Sequence, residues 1–177
     1  MHDGERGTRM ALDVNQFRAV MGCLAAGVTV VTTVDRQGEP RGLTATAACS
    51  VSLSPPLVLV CIDQVAECFE AFREARAFAV NLLREDQESL SRQFATKDAR
   101  KFEGIAHRPG VTGVPILSGA LAHLECLLTA QYPAGDHTIF VGEAVESAMV
   151  PSDEDGSPLV HFRGGYARLA DGPPGPS

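Results

Sequence analysis

The chain has 177 residues, 45% hydrophobic and 21% charged, with 15 basic and 22 acidic side chains and a net charge of −7. That composition suits one globular domain with a sizeable core and excludes a mostly disordered chain, a coiled coil or a fibrous protein. No run approaches the roughly 18–20 apolar residues of a membrane span, the opening MHDGERGTRM has no apolar signal core, and net negative charge disfavours general nucleic-acid binding, so the expectation is a cytoplasmic protein without membrane or nucleic-acid partners.

In chain order, residues 1–12 are expected to be flexible and DGPPGPS (171–177) a disordered tail, leaving one domain over 13–170. Asp13 predicts an N-cap, with Gln16 as the second half of a capping box, and Val14, Phe17, Met21 and Leu24 recur at near-helical spacing until Gly27. VTVVTTV (28–34) is a β-branched strand, DRQG (35–38) its turn, and RGLTATAACSVSLS (41–54) a returning strand ended by Ser54-Pro55-Pro56. LVLVCI (57–62) predicts a buried strand, 66–75 an amphipathic helix, 77–83 a strand, 85–102 a charged helix and 104–120 a Gly/Pro-rich loop. Strands over 121–133 and 137–150 flank an AGD hairpin turn, and a strand over 159–162 precedes the closing RGGYARL. Strands dominate and do not alternate strictly with helices. This predicts a mainly β fold, a closed antiparallel barrel with peripheral helices, rather than a doubly wound parallel sheet.

Recognisable catalytic signatures are missing. The five cysteines form no CxxC pair and, with the five histidines, no zinc spacing, so they read as reduced, buried thiols with no metal. GxSxG, GxGxxG and GxxxxGK[ST] do not occur. Three features could carry chemistry. The small-residue run Thr44-Ala45-Thr46-Ala47-Ala48 admits a flat heterocycle close to the backbone, or else marks a close strand crossing or a dimer seam. His137, after Gly135-Asp136, is a site candidate or an ordinary turn residue; Asp63 and Asp136 could act as an acid–base pair, though nothing in the sequence brings them together. Phe94 and Phe102, around Lys97 and Lys101, form either a buried helix face or an apolar wall beside a basic spot suited to a phosphorylated ring.

The stretches FRAVMGCLAAGVTVVTT, GLTATAACSVSLSPPLVLVCI, FAVNLLREDQESLSRQFA, KFEG, AGDHTIFVGEA and FRGGYARL resemble, in order and spacing, the flavin reductase family with the FMN-binding split barrel. The likeness runs from about Phe17 to Leu169. It implies an NAD(P)H-dependent enzyme that reduces FMN, or FAD or riboflavin, and supplies a separate monooxygenase or halogenase. It also implies a homodimer with the site at the subunit interface. By the resemblance, Thr44, Ala45, Thr46, Ala47 and Ala48 lie along the flavin ring; Cys61, Ile62, Asp63 and Cys68 follow the ribityl chain and phosphate. Asn81, Phe94 and Tyr166 lie near the cofactor, and His137 near the nicotinamide. Lys101, beside Phe102, is the expected phosphate anchor together with the start of the helix near Ala66. No triad or metal is needed, because hydride passes from nicotinamide to flavin and the protein orients the two rings.

The chain departs from the family pattern in three places. Asp63–Cys68 carries two acids and no base, position 161 is His where Tyr is common, and Ala48 replaces a larger residue. The alternatives are a split-barrel oxidoreductase that retains FMN and acts on another substrate, a non-catalytic flavin or heme carrier, and a plain β-barrel interaction module.

Overall fold

A computed structural model describes residues 12–98, 100–149 and 156–169. The ends expected to be flexible fall outside these residues, apart from Leu12. In chain order the elements are α1 (Val14–Met21), β1 (Ala26–Gly27), β2 (Thr29–Val34), β3 (Pro40–Ala45), β4 (Ala48–Leu53), β5 (Pro56–Asp63), α2 (Phe69–Glu74) and β6 (Ala77–Leu82). There follow α3 (Glu88–Phe94), β7 (His107–Pro109), β8 (Pro115–Leu117), β9 (Ala122–Ala134), β10 (His137–Met149), β11 (Val160–Phe162) and β12 (Gly165–Ala167).

Seven strands form one antiparallel sheet in the order β3-β2-β6-β9-β10-β5-β4. Residues from across this sheet meet in a single core: Val31, Ala45, Val60, Ile62, Phe78, Val80, Cys126 and Phe140, with Phe72 of α2. A flat sheet could not bring its two ends to one cluster, so the sheet curls round its own side chains. The two edges, β3 and β4, are consecutive in the chain, and Thr46-Ala47 carries it from one to the other. The Cys61 N–H donates to Ala47 O at 2.9 Å. This is the split barrel that the family resemblance implies; the closed barrel expected from the strand pattern is not formed, because β3 and β4 do not pair with each other. Val28, Val30, Leu83, Phe94, Leu117 and Leu159 form a second core outside it, where α3 packs.

Four further expectations are corrected. The strand expected over 41–54 breaks at Thr46-Ala47: Ala45 pairs with Thr29 on β2, whereas Ala48 pairs with Val60 on β5. The break lets β3 pair with β2 and β4 with β5 as separate strands. The first helix stops at Met21 with Gly22 as C-cap, because the chain turns there to pair β1 with β11 and the Arg163 N–H donates to Gly22 O at 2.7 Å. The helix expected over 85–102 spans only 88–94. Phe94 and Phe102 meet edge to face at 4.9 Å, and the Gln93 amide holds the backbone carbonyls of Lys101 and Glu103, which folds the segment back instead of extending it. The loop over 104–120 contains the short hairpin β7–β8. Its tip is fixed by the buried Glu125 carboxylate, which accepts from the Val111 and Thr112 N–H groups and the Thr112 hydroxyl.

Asp13 does cap α1, its carboxylate accepting the Asn15 N–H at 3.1 Å. The helix buries none of its residues, and Phe17 and Val20 are 52% and 64% exposed. An amphipathic helix with its apolar side in water lacks the packing that normally stabilises it.

Candidate active site

Along β5 and β10, Val60, Ile62, Thr138 and Phe140 turn into the barrel, so Leu59, Cys61, Asp63, His137 and Ile139 turn outward. The register sets Cys61 against Ile139 and Asp63 against His137. Thr46 and Ala47 are exposed and Ala48 is half-buried, beside Cys61 at the open edge. An apolar cavity of about 190 Å³ opens beside Ala48, lined by Thr29, Ala48, Cys49, Leu59, Leu82 and Leu124, among others. The strand pairing thus sets Ala47 beside Cys61 and Asp63 opposite His137 on one half-covered outward shelf, next to the exposed Thr46, whereas Ala48, paired with Val60, faces the barrel side.

His137 begins β10 immediately after the two-residue turn Gly135-Asp136, where Gly135 adopts φ 67°, a conformation costly to other residues. Its Nδ1 lies 2.7 Å from Asp136 Oδ1. This bond holds the Asp136 carboxyl below its usual pKa and leaves the opposite ring nitrogen, Nε2, as the one not fixed by this pair. The hairpin is tied to the end of β5: Gln64 donates from its backbone N–H to Asp136 O at 3.0 Å and from its side chain to His137 O at 3.1 Å. Asp63 faces His137 across the strands. The two aspartates, Asp63 and Asp136, therefore flank one histidine.

The remaining predicted residues point elsewhere. Ala45 and Ile62 lie in the barrel core. Cys68 is buried beside them, and burial pushes its thiol up to about 11. Asn81 is fully buried; its amide nitrogen donates to Val30 O and the Thr32 hydroxyl, and its oxygen accepts the Leu117 N–H. It therefore clamps three segments together, and its polar atoms are spoken for. Phe94 is fully buried in the outer core, with Phe102 half-buried against it. Thr44 donates its hydroxyl to Ser91 O at 2.6 Å instead of presenting it to a ligand.

Lys101 is 5% exposed and donates to Gly42 O at 3.2 Å from beneath β3. Asp98 and Glu103, its obvious surface partners, face Arg100. An ammonium group so covered is not presented to a phosphate arriving from solvent. Tyr166 is half-buried, its hydroxyl 2.8 Å from Ser91 Oγ and its ring under the Arg92 guanidinium. α2 begins at Phe69, not near Ala66, and has only six residues.

Sequence reasoning passed over two participants. Ser91 joins β3 to β12 through Thr44 and Tyr166, and Arg41 reaches the loop after β5. Neither carries a local signal, since their partners lie far along the chain.

The shelf suits a planar, largely apolar ring with polar edges, and among the described residues no cluster of His, Cys, Asp and Glu could hold a metal ion. It offers an oriented histidine but no activated nucleophile, because burial and the neighbouring Cys49 push the Cys61 thiol up. A curled sheet that leaves an apolar slot beside the crossing between its two edges, with a histidine on the nearby hairpin, can hold a planar ring. Residues 21–170 match the family described as the flavin reductase like domain, and the chain belongs to that family.

It is 46% identical over 159 residues to the NADH flavin reductase of Kitasatospora aureofaciens, covering 89% of this chain and 82% of that one. It is 42% identical over 158 residues to the reductase component of a 4-nitrophenol monooxygenase from Rhodococcus opacus, covering 89% and 82%. Among solved structures, the Streptomyces globisporus NADH:FAD oxidoreductase SgcE6, in complex with NAD and FAD fragments, superposes with a TM-score of 0.82 at 39% identity, covering 89% of this chain and 93% of that one. The protein is accordingly a flavin reductase.

Proposed function

We propose that the protein uses NADH to reduce FMN or FAD and releases the reduced flavin to a separate monooxygenase or halogenase, working in the cytoplasm as a homodimer. The observation that carries this is the uncharged crossing at Thr46-Ala47 beside Cys61, with Asp63 and His137 farther along the same outward face of β5 and β10. The relatives' names supply the nucleotide and the partner class: one is an NADH flavin reductase and another serves a monooxygenase. The flavin, when bound, supplies the hydride acceptor.

The chain's own residues bind and orient. Thr46, Ala47 and Ala48 let the ring lie against the backbone, since a larger side chain there would hold it off. Cys61 and Asp63 border its side chain. His137, steadied by Asp136, faces the nicotinamide and offers Nε2 to a polar group there. Tyr166 borders the site through its contact with Ser91. NADH rather than NADPH is favoured because relatives whose names give a nucleotide give NADH.

Dimerisation has its own support. α1 presents an unburied apolar face, and Leu53 of edge strand β4 and Met149 of β10 are 92% and 72% exposed. A second copy covering these residues would also close the split. The five free cysteines suit a reducing compartment.

NADH oxidation measured with FMN, FAD and riboflavin in turn, alongside the absorbance of the purified protein, tests the reading. Turnover that depends on added flavin is the expected result. Protein that stays yellow after dialysis and oxidises no NADH with added flavin would instead indicate a retained prosthetic group acting on another substrate. Light scattering checks the dimer; an active monomer at assay concentration would refute it.

A further inference from the structure

We propose that Glu67 sets flavin specificity: by engaging Arg41 it leaves the phosphate end of the site without a free cation, so the protein takes flavins with little regard to their phosphate. This rests on the reading above, in which the loop after β5 follows the flavin side chain.

Beside that loop is a cavity of about 290 Å³ whose charged lining is Asp35, Arg36, Arg41, Glu67, Glu70 and Glu74. Four carboxylates there face two guanidinium groups, and both guanidinium groups are engaged. Arg41 reaches from β3 with Nε 3.0 Å and Nη2 2.9 Å from Asp35 Oδ2, while Nη1 lies 3.8 Å from Glu67 Oε1. Arg36 is 2.6 Å from Glu74.

Three of the loop's backbone donors are also taken. The Val65 N–H goes to the Asp63 carboxylate at 3.0 Å, the Ala66 N–H to Asp63 O and the Gln64 N–H to Asp136 O. Lys101 is turned inward onto Gly42 O. A dianion entering this cavity would meet more negative than positive charge, and any cation it used would first have to leave a carboxylate. The shelf at Thr46–Ala48 is uncharged, so the ring common to riboflavin, FMN and FAD supplies the affinity.

Of Arg41's two acidic partners, Asp35 holds Nε and Nη2, whereas Glu67 faces Nη1, the group turned toward the loop. Glu67→Gln keeps the side-chain shape, removes one negative charge and frees Nη1 for a phosphate oxygen.

The experiment is titration of riboflavin and FMN into the full-length protein, followed by quenching of flavin fluorescence, with kcat/KM for each flavin as a second readout. For the wild type the two dissociation constants should agree within about threefold, a difference under 1 kcal/mol. Glu67→Gln should tighten FMN about tenfold, the size of one charge-assisted contact, and leave riboflavin unchanged. Glu70→Gln, which alters the same cavity but faces Arg73 rather than Arg41, should give a smaller gain for FMN.

A wild-type preference for FMN beyond about thirtyfold would overturn the proposal. So would an equal shift of both flavins in Glu67→Gln, the mark of mere loosening, or an equal FMN gain in Glu70→Gln. If the wild type bound neither flavin, the flavin-reductase reading of the site would fall with it; an overturning ratio in a protein that still reduces flavin removes only the role of Glu67.

Discussion

Replacing Asn81 by Ala separates a structural from a cofactor role at a position where the sequence suggests the latter. The side chain is fully buried and makes three hydrogen bonds, to Val30 O at 3.0 Å, to the Thr32 hydroxyl at 3.2 Å and from the Leu117 N–H at 2.9 Å. Thr32 keeps its bond to Pro115 O, so it loses little. The Leu117 N–H is buried and would be left without its acceptor, which costs roughly 1–3 kcal/mol, and the lost bond to Val30 adds about 1 kcal/mol. A total near 3 kcal/mol is a large fraction of the roughly 5–15 kcal/mol that holds a domain together. For a chain of this size it lowers the melting temperature by roughly 6–12 °C.

Urea unfolding should show a lower midpoint with an unchanged slope, since the folded and unfolded surfaces alter little. Below the transition, flavin affinity should stay within about twofold of wild type, because the nearest consequence of the change falls on β8 rather than on the shelf. An unchanged midpoint together with a flavin affinity weakened more than about tenfold would falsify the argument and return Asn81 to the cofactor.

Three further outcomes follow from the geometry. His137→Ala should slow reduction of pre-bound flavin in stopped-flow more than it weakens flavin binding, and Asp136→Asn should do the same to a lesser degree. The Asp136 carboxyl titrates below its usual 3.8, so the orienting contact is intact at neutral pH and is lost only as pH falls through that lowered value; a loss of the Asp136-dependent part of the rate near pH 6 would contradict this. Cys68 and Cys126, with thiols pushed by burial to about 11 and about 12, should resist alkylation at pH 8 until the protein is denatured; labelling of either in the native state, read by peptide mass, would show the core more open than described. Gly142→Ala should destabilise by roughly 1–3 kcal/mol, the usual cost of overpacking a core, because a β-carbon there would lie 2.6 Å from the Phe78 ring and 2.8 Å from Cys126 Cβ; an unchanged urea midpoint would refute that packing.

Strands were legible wherever one physical pattern dominated. VTVVTTV has no good use except in a strand buried on both faces, and β2 lies between the two cores. LVLVCI reads as a fully buried strand, but β5 buries only Val60 and Ile62 fully, because its other face turns outward. What the sequence concealed depends on contacts between distant residues. The break at Thr46-Ala47 exists because the sheet curls until its edges are neighbours, and nothing local reports that. α3 stops at Phe94 because Phe102 folds back onto it, although the intervening residues suit a helix. The turn at Gly135-Asp136 was readable. The buried contacts of Asn81 and Lys101 were not, because their partners, Val30, Leu117 and Gly42, lie far along the chain.

The location of the site follows from how the barrel fails to close. A sheet edge carries unpaired N–H and C=O groups, and proteins ordinarily cover or blunt it. Here both edges of the seven-stranded sheet meet at Thr46-Ala47, and part of the exposed backbone is satisfied internally: the Thr29 hydroxyl donates to Ala45 O and the Cys61 N–H to Ala47 O. The crossing is thereby held in place while Thr46 remains exposed to whatever lies against it. Larger residues at 45, 47 and 48 would fill the slot and pack the edges together, giving a more complete barrel with no shelf. Alanine at these positions gives up core packing on the barrel side and leaves a surface that a planar ring with hydrogen-bonding edges can cover. A site of this kind needs no nucleophile, metal or phosphate motif, which is why none stands out in the sequence. Its chemistry is set by which groups the curl of the sheet leaves uncovered: an apolar crossing and a histidine at the rim.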